Sequence, residues 1–177
     1  MKPFIGVLPH IVMESDLILT IRLAKLSDLE IINKYWWCLI GEQKTHDDRI
    51  LDSEPNKHRS MNFLRERIIQ GGLYVSEKSP NEIIGLGSIA QDIHFLQTQI
   101  NVWNIADIWV RKEYRRRGVG SKMVSFLEKK AFEMGAQEIR LTVYSENIPA
   151  SELYKSLGFA SKIITYSKSL ANDLDLD

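Results

Sequence analysis

Ile108-Trp109-Val110-Arg111-Lys112-Glu113-Tyr114-Arg115-Arg116-Arg117-Gly118-Val119-Gly120-Ser121 runs from an apolar segment through a basic turn into a glycine pair. Upstream, residues 102–110 read as a strand; downstream, Val119, Met123, Phe126, Leu127 and Ala131 recur at helical spacing until Gly135 stops the pattern. Between them, residues 111–121 carry five cations against one anion, so an anion is expected to dock there. A helix start offers unpaired N–H groups and a partial positive charge, and glycine lets a phosphate approach the backbone closely. The chemistry favoured is pyrophosphate binding.

Two common glycine turns fit poorly. A Walker loop closes on Gly-Lys-Ser/Thr, whereas Gly120 is followed by Ser121-Lys122. The dinucleotide fingerprint wants a third small residue where Met123 stands, and its strand comes early in a domain rather than this late. A glycine pair beside cations is also compatible with a merely solvated helix start.

Working outward, residues 17–23 read as a strand, with Ser27 and Glu30 at capping-box spacing before a helix over 28–40. A loop over 41–56 precedes a second helix marked by Phe63, Leu64, Arg67 and Ile68 and ended by Gly71-Gly72. Residues 73–77 and 82–95 read as strands joined by Lys78-Ser79-Pro80-Asn81, with Gly85 and Gly87 marking a bulge. Residues 138–144 make a fifth strand, 149–157 a short helix, and 159–166 a last strand. The pattern implies an α/β fold, a mixed sheet with helices on both faces.

The chain has 177 residues, enough for one domain. Residues 1–16 are expected to be an extension, 17–170 the domain and 171–177 an acidic tail. Lysine plus arginine and aspartate plus glutamate balance at 23 each, which argues against non-specific attraction to nucleic acid or acidic lipid. Pro3 and Pro9 interrupt the apolar opening, so neither a signal peptide nor a membrane span is read, and a cytoplasmic location is expected. The single cysteine, Cys38, falls in an apolar run and is read as a reduced, buried thiol.

Arg115-Arg116-Arg117-Gly118-Val119-Gly120 resembles the Arg/Gln-x-x-Gly-x-Gly/Ala motif by which GNAT acyltransferases bind coenzyme A, complete at every defined position. Asn147, Ala150, Tyr154, Gly158 and Phe159 match the family's Asn-x-x-Ala-x-x-x-Tyr-x-x-x-Gly-Phe pattern. The resemblance is strong over 107–159 and architectural before that. It implies a single-domain, mostly antiparallel sheet, and transfer of acetyl from acetyl-CoA directly to a primary amine, small molecule or protein.

By that resemblance, Arg115, Arg116, Arg117, Gly118, Val119, Gly120 and Ser121 form the cofactor turn, and Ile108, Trp109 and Val110 pair with the pantetheine arm. A backbone N–H near Val110 faces the thioester oxygen. Tyr154 lies beside the sulfur as general acid and belongs with Asn147 to the cofactor site; Asn147 serves there, as a helix cap, or both. For the base, Asp107, His94 and solvent remain open, Thr142 standing where some relatives carry glutamate. Metal is not expected. Asp47, Asp48, Asp52 and Glu54 either attract a cationic acceptor or form a solvated loop, and Ile163, Ile164 and Tyr166 offer a surface for a homodimer. The rival reading is a non-catalytic acyl-CoA sensor or scaffold; a nucleic-acid module is disfavoured by the balanced charge.

Overall fold

The computed structural model describes residues 19–47, 49–93 and 100–168. Two compact units are present, Met1–Thr142 and Val143–Asp177. In the first, the elements are β1 (Thr20–Leu23), α1 (Leu29–Gln43), α2 (Glu54–Ile69), β2 (Leu73–Ser79), β3 (Glu82–Gln91), β4 (Val102–Val110), α3 (Val119–Glu133) and β5 (Glu138–Arg140). The second contains α4 (Ile148–Ser156). The sheet order is β1-β2-β3-β4-β5, antiparallel except for the parallel β4–β5 pair.

Strand alternation sends neighbouring side chains to opposite faces. Leu73 and Val75 pack with Leu29, Ile32, Leu64 and Ile68 of α1 and α2. Tyr74, between them, meets Phe126 of α3 with ring centroids 5.4 Å apart. Helices therefore cover both faces, as the pattern implied. The β2–β3 hairpin closes through Pro80-Asn81, where proline fixes one φ and Asn81 takes the left-handed φ of 67°.

Three expectations are corrected. Residues 159–166 form no strand, and Ile163, Ile164 and Tyr166 are exposed. The fifth strand is only Glu138–Arg140. Cys38 is exposed rather than buried, because the inward stripe of α1 runs through Leu29, Ile32 and Tyr35 and passes it by. The extension, the tail, His94 and Asp48 lie outside the described residues.

Both expected glycines adjoin register irregularities. Gly85 sits beside the β2–β3 shift, and a Cβ there would lie 2.8 Å from the Trp109 carbonyl oxygen and 2.7 Å from Ser76 Oγ. Since a strand carbonyl cannot yield without moving β4, Gly85→Ala is expected to lower unfolding stability by about 1–3 kcal/mol, read from urea melts.

Arg22 of β1 ties the sheet to the start of α1, its Nη1 2.7 Å from Asp28 Oδ2 and its Nη2 2.6 Å from Glu77 Oε1. Burial pushes the Asp28 carboxyl up, but hydrogen bonds from Arg22 and the Lys25 amide outweigh it, and the net value lies below that of an ordinary carboxylate. A depressed folded pKa contributes stability that is complete above the unfolded value, about 3.9, and is lost as pH falls through the folded one. Asp28→Asn is therefore expected to cost about 1–2 kcal/mol at pH 6 and progressively less below about pH 4, in urea melts across pH.

Candidate active site

Asp107 lies where β4 departs from regular pairing. Leu86 pairs with Trp109 and Ser88 with Ala106, so Asp107 and Ile108 together oppose Gly87. This extra residue is a β-bulge, and Asp107 takes a left-handed φ of 55° to accommodate it. Aspartate tolerates that region better than most residues. Two side chains hold the carboxylate: Trp36 Nε1–H of α1 donates to Oδ1 at 3.1 Å, and Ser88 Oγ–H of β3 donates to Oδ2 at 2.6 Å. Gly87 leaves room for the bulge, since a Cβ there would lie 2.8 Å from Ile108 Cδ1 and 3.0 Å from Leu127 Cδ1.

Beyond the bulge β4 has an open edge. Its pairing with β5 ends at Asn104↔Arg140, and from Ile105 onward that side has no strand partner among the described residues. Arg111 N–H donates to Ile84 of β3, and peptide groups alternate along a strand, so the amides of Val110 and Ile108 point toward the open side. The Trp109 side chain turns into the core, its ring centroid 4.8 Å from that of Tyr35. A pairing role for Ile108, Trp109 and Val110 is thus one for their backbone.

After β4 the chain passes through a 3-10 turn, Lys112–Tyr114, into the basic turn. Arg116 takes a φ of 59° and Gly118, the N-cap of α3, a φ of 75°. Lys122 N–H makes the first helical bond to Gly118, and the amides of Arg116, Arg117, Gly118, Val119, Gly120 and Ser121 have no backbone acceptor among the described residues. Among the described residues, a Cβ at Gly118 would meet nothing within 4 Å beyond its chain neighbours, so the approach is open. These open amides, with the helix dipole behind them, suit a pyrophosphate.

The charge of the turn divides into two parts. Arg111 pairs with Glu113, and Arg115 donates through Nη2 to Glu42 of α1 at 2.7 Å and through Nε to the Val110 carbonyl at 2.7 Å. Arg115 therefore braces the turn against β4 and α1. Lys112, Arg116 and Arg117 are exposed and make no ion pair among the described residues. The acidic loop is partly neutralised from within: Asp47 pairs with Arg49, and Asp52 and Glu54 share Lys57. Its pull on a cationic acceptor is correspondingly reduced.

In the second unit, Asn147 caps α4, its Oδ1 accepting from Ala150 N–H at 3.2 Å. Tyr154 stands on that helix, edge-on to Phe159 with centroids 6.0 Å apart, and Gly158 ends the helix with a φ of 89°. The matched motif thus builds one local unit of cap, helix and glycine stop. Burial pushes the Tyr154 hydroxyl above the ordinary phenol value, so it keeps its proton through the neutral range.

Trp36, Ser88 and Glu42 escaped sequence reasoning as partners of Asp107 and Arg115. They lie 71 and 19 positions from Asp107 and 73 from Arg115, and no local spacing signals such pairs. Among the described residues no cluster of three or more metal-ligating side chains occurs.

Residues 30–159 match the model of the acetyltransferase (GNAT) family. A thialysine N-epsilon-acetyltransferase of Bos taurus is 41% identical over 54 residues, 30% of this chain and 32% of that protein. Its Mus musculus counterpart is 33% identical over 82 residues, 46% of this chain and 47% of that protein. The chain thus spans a third to a half of the length of these curated relatives. Glucosamine-6-phosphate N-acetyltransferase of Arabidopsis thaliana superposes with a TM-score of 0.63 at 22% identity, over 86% of this chain and 99% of that one. A predicted acetyltransferase of Clostridium acetobutylicum, solved with acetyl-CoA, gives a TM-score of 0.69 at 18% identity, over 87% and 97%. Likeness at that identity establishes the fold, and the family match over most of the sequence completes the assignment: this chain belongs to the GNAT acetyltransferase family.

Proposed function

We propose that the chain is an acetyl-CoA-dependent N-acetyltransferase that hands acetyl directly to a primary amine, releasing coenzyme A. The observation that carries this reading is the juxtaposition, within one strand–turn–helix, of an open β4 edge and six open amides at the start of α3. In this reading the amides of Arg116, Arg117, Gly118, Val119, Gly120 and Ser121 hold the pyrophosphate, with Arg116 and Arg117 adding charge. Arg115 acts by bracing the turn. The Ile108 and Val110 amides pair with pantetheine and offer a donor to the thioester oxygen. Acetyl-CoA supplies the activated acyl group.

An alkylamine is protonated at neutral pH, and with a pKa about 10.4 its deprotonation at pH 7 costs roughly 4–5 kcal/mol. Asp107 is the base of this proposal, directly or through water, and Tyr154 returns a proton to the departing thiolate. The Tyr154 assignment rests on the motif and is supported by the burial that keeps its hydroxyl protonated. The name of the mammalian relatives makes thialysine the first acceptor to try.

Free coenzyme A, followed as thiol with mass spectrometry of the acceptor, tests the reading on thialysine, lysine, polyamines, aminoglycosides and lysine peptides. Thiol release that depends on one amine and matches its acetylation is expected. Acetyl-CoA binding with no amine consumed would make the chain a sensor. Two further parts belong to the proposal. Ile163, Ile164 and Tyr166, exposed at 75, 70 and 89%, offer a homodimer surface, which sedimentation at monomer mass would remove. A cytoplasmic location is kept; no helix among the described residues is long and apolar enough to cross a membrane.

A further inference from the structure

The Asp107 carboxylate is gripped from two directions by elements that the pyrophosphate turn does not include. An ionised carboxylate has about four acceptor sites. Trp36 takes one on Oδ1 and Ser88 one on Oδ2, so each oxygen keeps a site for another donor. Both grips are well founded. Ser88 is 1% exposed in the middle of β3, across from the bulge. Trp36 is set by the packing of α1: its ring lies 5.7 Å from Trp37 edge-on and 6.2 Å from Phe63 of α2, and Trp37 Nε1–H donates in turn to Ser60 Oγ at 3.0 Å. A left-handed φ at a non-glycine residue persists where its surroundings over-determine it, and these two donors do so at Asp107.

We propose that Trp36 and Ser88 are positioning residues for Asp107, aiming its free acceptor sites at the incoming amine. This rests on the reading of Asp107 as the base. The alternative is that Trp36 and Ser88 only fill space. Packing alone lowers activity whatever stands at position 107, whereas positioning acts through the carboxylate and disappears with it.

The test is a double-mutant cycle with acetyl-CoA and whichever panel amine the wild type acetylates fastest. Asp107→Asn keeps the shape and the tolerance for left-handed φ; it is expected to lower kcat about a hundredfold. Trp36→Phe, which keeps a ring but removes the N–H, and Ser88→Ala are each expected to lower kcat about fivefold, with the Kd for acetyl-CoA changed less than about twofold. In the Asp107→Asn background the same two changes are expected to cost nothing further. Trp36→Phe also identifies the Trp36 indole 15N–H resonance, which is expected to shift in Asp107→Asn while that of Trp37 stays. Equal losses in both backgrounds, or full activity of Trp36→Phe and Ser88→Ala beside a disabled Asp107→Asn, overturns the positioning role alone. Full activity of Asp107→Asn removes the base assignment and the inference with it, and a wild type inert toward every amine removes the function itself.

Discussion

Gly118→Asp is expected to weaken acetyl-CoA binding about a hundredfold while leaving the protein folded. The fold should survive for two reasons. Aspartate accepts the φ of 75° at this N-cap more readily than most residues, and among the described residues no atom beyond the chain neighbours lies within 4 Å of where its Cβ would stand. A carboxylate there is even favourable to the helix dipole and to the open amides. That compatibility is the source of the loss, because the new carboxylate occupies the anion site. Two like charges about 4 Å apart repel by about 1 kcal/mol in bulk water and about 4 kcal/mol near a protein surface, which spans roughly fivefold to a thousandfold in Kd. Gly118→Asn, equal in shape and uncharged, separates repulsion from bulk. Calorimetric titration of the three proteins should show Asn close to wild type and Asp far weaker. Equal binding by Asp and wild type would place the cofactor elsewhere.

Tyr154→Phe is expected to lower kcat about a hundredfold and change the Kd for acetyl-CoA by less than about threefold, in steady-state kinetics beside calorimetry. The hydroxyl is the only group removed, and the ring keeps its edge-on contact with Phe159. Because burial raises the Tyr154 pKa, the hydroxyl is protonated throughout the neutral range, and an activity loss tied to its ionisation belongs above that of an ordinary phenol, about 10. Unchanged kcat would leave Tyr154 a packing residue of α4.

What could be read from the sequence follows the range of the forces involved. The strand, basic turn and α3 were legible because each rests on neighbours in the chain: the apolar pattern of residues 102–110, glycine at a left-handed N-cap, and helical spacing from Val119 to Ala131. The Asn147 cap and Gly158 stop were legible for the same reason. Asp107 was legible as a carboxylate on β4 and Gly87 as the mark of a bulge, but that the bulge seats Asp107 was not. The bulge depends on Gly87 opposite and on donors from Trp36 and Ser88, which only the folded sheet brings together. Arg115 was read as a cofactor ligand; the sequence did not show that Glu42 and the Val110 carbonyl engage its guanidinium and the Lys112 carbonyl its N–H.

The misread segments share a cause. Ile163, Ile164 and Tyr166 have the chemistry of a strand, but β propensity expresses a fit to a half-buried pleated surface, and residues 159–166 pair with no strand. Cys38 lies in an apolar run whose inward stripe goes from Tyr35 to the partly buried Leu39, which leaves the thiol outside. That exposure makes Cys38 an accessible nucleophile, so direct transfer has to be distinguished from passage through a thiol.

A single-turnover experiment does this, with enzyme in excess over acetyl-CoA labelled in the acetyl carbon, quenched at intervals with and without the preferred amine. Direct transfer moves the label from acetyl-CoA to the amine only when amine is present, at the same rate in Cys38→Ala, with none retained on protein. Label accumulating on the protein before it reaches the amine would show a covalent route instead, and label remaining in acetyl-CoA whatever amine is offered would remove the transfer itself.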